Sequence, residues 1–550
     1  MKKLVSLSIF LWITGVIAAQ YNLPKYWISF TDKVNTPYSI ESPVEFLSSR
    51  AIERRIRQGI EITEEDLPVD PEYLNQVAGK GIKVINVSKW FNGALIELSD
   101  TGYLDTLRTF NFIRPEIVLV KPELTQVSEK FNLSKFKTSI QLLDELYGYS
   151  YNQIGMLHGD LLHYQGYRGE GMLIAILDAG FTNADIISSL AHVWDENRVI
   201  AMKDFVKDTA TLFDSHYHGT IVFSILAGGE EGMLIGSAPG ANYALIRTED
   251  ANSEYLIEEY NWICGAEYAD SIGVDVINSS LGYTEFDDPS QNHSYSDMDG
   301  RTAPASIAAT RVAAKGIIVS NSAGNQGDGA WYRIGAPADA DSILAVGATD
   351  SLGIITDFSS RGPSYDGRVK PDVAAQGHFT VSQYPDGRFI YSSGTSASSP
   401  IIAGMAACLW QANPQLSNME IINIFRKSAS QFFMPDSVYG YGIPDMIKAD
   451  WMLQSAEEMK DSTVTSFTLF PNPASGYFYL QIYRPEETDE EVIILNFYDL
   501  LGNLYRQEMR QITGEQFMID VRDISGLATG LYLLEIQLSG RRHTLLFSKR

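Results

Sequence analysis

Four short runs, Gly171–Asp178, Val274–Gly282, Gly316–Asn325 and Ser342–Ala348, restrict the fold of this 550-residue chain more than any other feature. Each is rich in branched or small apolar residues and stops at a glycine, a polar side chain or a turn. Runs of that length and character read as strands buried on both faces, the environment of a parallel sheet. Between and after them lie Ile221–Ala227 and Ile401–Trp410, helix-like and apolar nearly all round, hence buried as well. The expectation is an α/β domain of three layers around a mostly parallel sheet. Open sheets of this kind hold their sites beyond the C-terminal ends of the strands. Three of the four runs end in residues able to do chemistry there: Asp178, Asn325 and the Ser280-Leu281-Gly282 segment.

A serine supplies the reactive group in this reading. In Gly394-Thr395-Ser396-Ala397-Ser398-Ser399-Pro400, glycine permits a turn that other residues resist, and proline suits the first turn of a helix. Ser396 is thereby placed at the mouth of a buried helix, where free N–H groups favour developing negative charge. Asp214-Ser215-His216-Tyr217-His218-Gly219-Thr220 opens another short helix, and Gly219 allows that helix to approach a neighbour closely. Each element also has a plainer reading: Asp178 as a helix cap, Asn325 as a turn residue, His216 and His218 as two metal ligands. The last lacks the third and fourth ligands a zinc site needs.

Together these segments resemble the subtilisin-like serine proteases, the subtilase family (peptidase family S8). The order Asp178, His218, Ser396 is that of subtilisin, and His-Gly-Thr at 218–220, Gly-Asn at 324–325 and Gly-Thr-Ser at 394–396 match its motifs. The resemblance spans roughly Gly148 to Ala449 and implies an Asp-His-Ser triad with the Asn325 amide as oxyanion donor. It also implies that Ser280, Leu281 and Gly282 pair with an extended peptide, while Ser322, Ala323 and Gly324 form a pocket wall opposite. No cofactor is implied for catalysis, and no metal ligands are assigned; structural calcium is known in such enzymes, but its ligands cannot be picked out here. Two departures stand out. Ala179 replaces the Ser or Thr that usually follows the aspartate, and Ala397 the usual methionine after the serine. No acid stands out as a selector of basic residues, so broad or apolar specificity is expected.

The flanks complete the organisation. Met1-Lys2-Lys3, apolar residues 4–17 and Ala18-Ala19 read as a secretory signal over 1–19. Residues 20–124 carry a strand at Tyr26–Phe30, a basic amphipathic helix at Val44–Gln58, strands near 81–87 and 94–97, a helix near Leu104 and a strand near Ile117. That βαββαβ order is ferredoxin-like α+β, and its position resembles an inhibitory subtilase propeptide, joined by a maturation region at 125–147 to a catalytic domain at 148–450. A polar linker at 451–465 precedes alternating strands over 466–550, read as a small β-sandwich. Its Pro471-Asn472-Pro473 start, Gly530-Leu531-Tyr532 strand and basic end resemble the sorting domain of the Bacteroidetes type IX secretion system. The implied route is through the periplasm and across the outer membrane, to the medium or the cell surface, with no transmembrane segment in the mature chain. A net charge of −26 disfavours nucleic acid as a partner. The expected partners are protein or peptide substrates, the chain's own propeptide and the secretion machinery. Cys264 and Cys408 are the only cysteines, and nothing in the sequence pairs them. The competing reading is a catalytically silent subtilase-fold adhesin, for which Ala179 is the one supporting residue.

Overall fold

Glycines and branched residues set the strand pattern of the central domain. A computed structural model describes residues 23–123, 130, 145–207, 211–459 and most of 465–549; the expected signal and nearly all of the expected maturation region lie outside these. Among the described residues, no helix is long and apolar enough to cross a membrane. The chain divides into two units, the first ending at Asp450 and the second beginning at Trp451.

In the first unit, residues 23–123 form a four-stranded antiparallel sheet. Its strands are β1 (Lys25–Phe30), β2 (Lys83–Ser88), β3 (Gly93–Glu97) and β4 (Ile113–Lys121), in the order β2-β3-β1-β4. That order, with β1 antiparallel to both neighbours, is the ferredoxin-like arrangement. The helix over this sheet, however, is not the basic one. Helix α2 (Pro71–Ala78) puts Tyr73 and Val77 into its core, whereas α1 (Ser49–Gln58) contributes nothing to it. Helix α1 instead turns its arginines inward: Arg54 and Arg55 are buried while Ile56 is 73% exposed. The carbonyl of Val274 and the carboxylate of Asp270 accept from Arg54 at 2.6 and 2.5 Å, so hydrogen-bonding capacity decides which face is buried. The second crossover helix is α3 (Tyr103–Arg108).

The sheet beyond it is seven-stranded and wholly parallel. Its strands are β5 (Leu173–Asp178), β6 (Val199–Asp204), β7 (Asn242–Arg247), β8 (Val276–Ser279), β9 (Ile318–Ser322), β10 (Leu344–Thr349) and β11 (Val373–Gln376). The order β11-β10-β9-β8-β5-β7-β6 reverses direction at β5, the position where such sheets open a crevice. Helices α4 (His218–Ala227) and α7 (Thr395–Ala412) pack together, as do α5 (Ile257–Ile272) and α6 (Pro304–Ala314). The N-terminal sheet rests on the α5 side, where Trp27 stacks on Tyr260 with centroids 4.6 Å apart. Trp27, Trp90, Leu95 and Val120 thereby join the same apolar cluster as Trp262 and Val319. Cys264 and Cys408 are buried and free.

The second unit has two antiparallel sheets, of three and four strands, whose inner residues, among them Phe478, Leu480, Leu495, Ile536 and Phe547, form one core. A helix covers Met446–Met459, so the first part of the stretch expected as a polar linker is helical.

Candidate active site

Five strand or helix ends converge at a cleft of about 410 Å3. Asp178 closes β5 and is fully buried. His218 is the first residue of α4, and its Nδ1 lies 2.9 Å from each Asp178 carboxylate oxygen. Gly219 makes that approach feasible, since a Cβ there would lie 2.4 Å from the Gly180 carbonyl. The Ala179 amide donates to Asp178 at 2.7 Å, so the missing hydroxyl side chain leaves the carboxylate with a local backbone donor. His216 accepts from the His218 amide at 3.3 Å, and burial, reinforced by His218, pushes its pKa down to about 4. Among the described residues, neither histidine belongs to a cluster of three or more metal-ligating side chains.

Ser396 lines the same cleft in the first turn of α7, where an amide has no intrahelical acceptor. The helix starts at Thr395, so Pro400 sits one turn inside it, not in the first turn as expected from the sequence. A proline there cannot donate to the carbonyl four residues back. That carbonyl belongs to Ser396, and it takes the Ser280 hydroxyl at 3.1 Å instead. Ser396 Oγ donates in turn to the Ser280 carbonyl at 3.3 Å. The proline thus ties the serine turn to the end of β8.

Asn325 is oriented from the other side. Its Oδ1 accepts from the Thr395 amide at 2.8 Å and the Thr395 hydroxyl at 2.9 Å. This pair fixes which end of the amide is oxygen and leaves the NH2 facing away from Thr395. Gly394, at φ 146°, would bring a Cβ to 3.3 Å from that nitrogen. Ser280, Leu281 and Gly282 line the cleft, as do Ser322, Ala323 and Gly324, so all ten residues singled out in the sequence meet it or, for Asp178, lie directly behind it. Among the described residues, no backbone hydrogen bond engages Gly282, which suits an edge that pairs with a peptide. Glu249 and Glu254 also line the cleft and were not foreseen. Their only signal was a dense acidic stretch, with Glu249, Asp250, Glu254, Glu258 and Glu259 falling within eleven residues.

A parallel α/β sheet that sets a buried aspartate–histidine pair and a serine in the first turn of a helix around one cleft is the build of a serine hydrolase. Residues 169–442 match the model of the subtilase family. Residues 25–135 match the peptidase S8 propeptide domain of Bacteroidota, and 468–545 the secretion system C-terminal sorting domain. Subtilisin DY of Bacillus licheniformis is 31% identical over 291 residues, covering 52% of this chain and 93% of that protein. Subtilisin E of Bacillus subtilis (strain 168) is 27% identical over 370 residues, covering 66% and 82%. Among solved structures, the epidermin leader peptide processing serine protease of Staphylococcus aureus superimposes with a TM-score of 0.52 at 18% identity, over 80% of this chain and all of that one. The chain belongs to the subtilase family. It is a serine endopeptidase built with an S8 propeptide and a tail for type IX export to the surface or medium.

Proposed function

We propose that peptide bonds are cleaved here through Ser396, His218 and Asp178, with an acyl-enzyme intermediate. The observation that carries this reading is His218 Nδ1 held against both oxygens of a fully buried Asp178 at the rim of the cleft that Ser396 lines. His218 takes the hydroxyl proton as Ser396 Oγ attacks the carbonyl carbon, then passes it to the leaving amine. Water repeats the sequence and releases the acid. Asp178 fixes the imidazole tautomer and stabilises its protonated form. The Asn325 NH2 and the Ser396 amide hold the oxyanion. Gly282 and its neighbours receive the peptide as an added strand, and Ser322 to Gly324 face the residue before the cut. No cofactor takes part in this chemistry.

Residues 1–19 serve as export signal, 20–124 as inhibitor and folding aid, 125–147 as the maturation region and 466–550 as sorting domain, on a route through the periplasm and outer membrane. Casein hydrolysis by the mature protein, its block by a serine-directed phosphonate and its loss in Ser396→Ala test the reading together. A correctly processed protein that hydrolyses nothing sinks it.

A further inference from the structure

The cleft holds a feature that the triad does not use. Glu249 and Glu258 are almost fully buried, Glu254 lies at their rim, and one carboxylate oxygen of each lies within 4.8 Å of the others. The Nζ of Lys130 sits among them, 3.1 Å from Glu249, 3.0 Å from Glu254 and in contact with Glu258. Lys130 belongs to the segment matched by the propeptide family, so it is the precursor's own group. Its backbone amide donates to the Ala251 carbonyl at 3.3 Å, a main-chain contact of the kind a bound peptide makes. One oxygen of Glu258, and one of Glu254, is buried with no hydrogen-bond partner. Glu249 also accepts from Tyr283 Oη at 2.5 Å, which fixes its carboxylate.

We propose that Glu249, Glu254 and Glu258 form a subsite for the ammonium of a substrate lysine, and that Lys130 fills it in the precursor as a substrate mimic. Three carboxylates around one nitrogen match the three donors of an ammonium group. Once the propeptide is gone, buried carboxylates without a cation are costly, and a peptide lysine restores the lost pairing. An uncharged side chain of the same length leaves them unpaired. The subsite is built from residues other than those of the wall at Ser322 to Gly324, and a lysine held in it occupies one fixed position along the bound peptide.

This inference rests on the cleft being the peptide site, so its test reads binding apart from hydrolysis. Mature protein carrying Ser396→Ala, processed in trans by active enzyme, is titrated with labelled peptides in which lysine, arginine, norleucine or glutamate is scanned through each position. Active enzyme is assayed on the same set. The expected result is one position where lysine binds and is cleaved about tenfold or more better than norleucine, with the ratio collapsing in Glu258→Gln. Glu254→Gln, at the more exposed rim, must lower the ratio in the same direction should Glu258→Gln fail to fold. Lysine and norleucine peptides equivalent at every position overturn the subsite, whatever the activity. A binding preference without hydrolysis keeps the subsite and sinks the catalytic reading. Calcium that raises the melting temperature of mature enzyme but not of Glu258→Gln, with no lysine preference, makes the cluster a metal site and also overturns the proposal.

Discussion

Replacing Asp270 by asparagine tests how the propeptide is held. Asp270, fully buried at the end of α5, accepts from Arg54 at 2.5 Å and lies 3.0 Å from both Arg55 and Lys89, all three from the propeptide. Burial pushes the Asp270 carboxyl up, but Lys89, Arg54 and Arg55 outweigh it and hold the group well below the usual carboxylate range. The substitution keeps the shape and loses the anion, leaving Arg54 in the interface with only carbonyl acceptors, while Arg55 retains Asp66 at 2.8 Å. Removing one partner of a buried ion pair costs about 3–5 kcal/mol. At about 1.4 kcal/mol per tenfold, that is roughly a hundredfold to several-thousandfold weaker inhibition. The assay is the inhibition constant of the released propeptide against mature enzyme of each type, with kcat/KM on a small peptide confirming an intact cleft. An inhibition constant within threefold of wild type, at unchanged kcat/KM, refutes the reasoning. The sign with pH is also fixed. A depressed carboxylate contributes fully above its free pKa of 3.8, and the contribution is lost as pH falls from there towards the lower value, so mild acid does not release the propeptide through Asp270.

Further outcomes follow from the site and the core. Asn325→Ala lowers kcat by about 100- to 1,000-fold, the loss measured for the equivalent donor in subtilisin, with little change in KM in steady-state assays. Gly219→Ala forces a Cβ to 2.4 Å from the Gly180 carbonyl; kcat falls through the displaced His218, and thermal melts show a loss of about 1–3 kcal/mol. His163 is buried between Tyr147 Oη and the Ser237 carbonyl, and burial pushes it from 6.5 down to about 4. A buried neutral histidine stabilises the fold above its free pKa, so stability drops as pH falls from about 6.5 to about 4, by about 3 kcal/mol in all at about 1.36 kcal/mol per unit. Melts of His163→Gln that keep the full slope over that range contradict this.

The sequence showed the parallel sheet, and the residues proposed for the triad stood out because Asp178 ends an apolar run while His218 and Ser396 lie in the first turn of a helix. The backbone neighbourhood and the chemistry are then written in the same few residues. Three features were less legible. The arginine face of α1 is buried because acceptors more than two hundred positions later, Asp270 and the Val274 carbonyl, meet it; a periodicity argument, which assumes that the apolar face turns inward, points the wrong way. Pro400 read as a helix start, yet its effect is exerted on the Ser396 carbonyl and the Ser280 hydroxyl, a pairing across 116 positions. The three glutamates follow no motif. Only the fold brings Glu249, Glu254 and Glu258 together, around a lysine that precedes them by more than a hundred residues.

The most direct measurement of the central claim is the site and stoichiometry of covalent labelling by a serine-directed phosphonate on the mature secreted protein. The account predicts one adduct per chain, located by peptide mass analysis on Ser396, forming in step with the loss of casein hydrolysis and absent from protein carrying His218→Ala. Full hydrolysis after Ser396 is labelled, or an adduct on another serine that tracks the loss of activity, contradicts it.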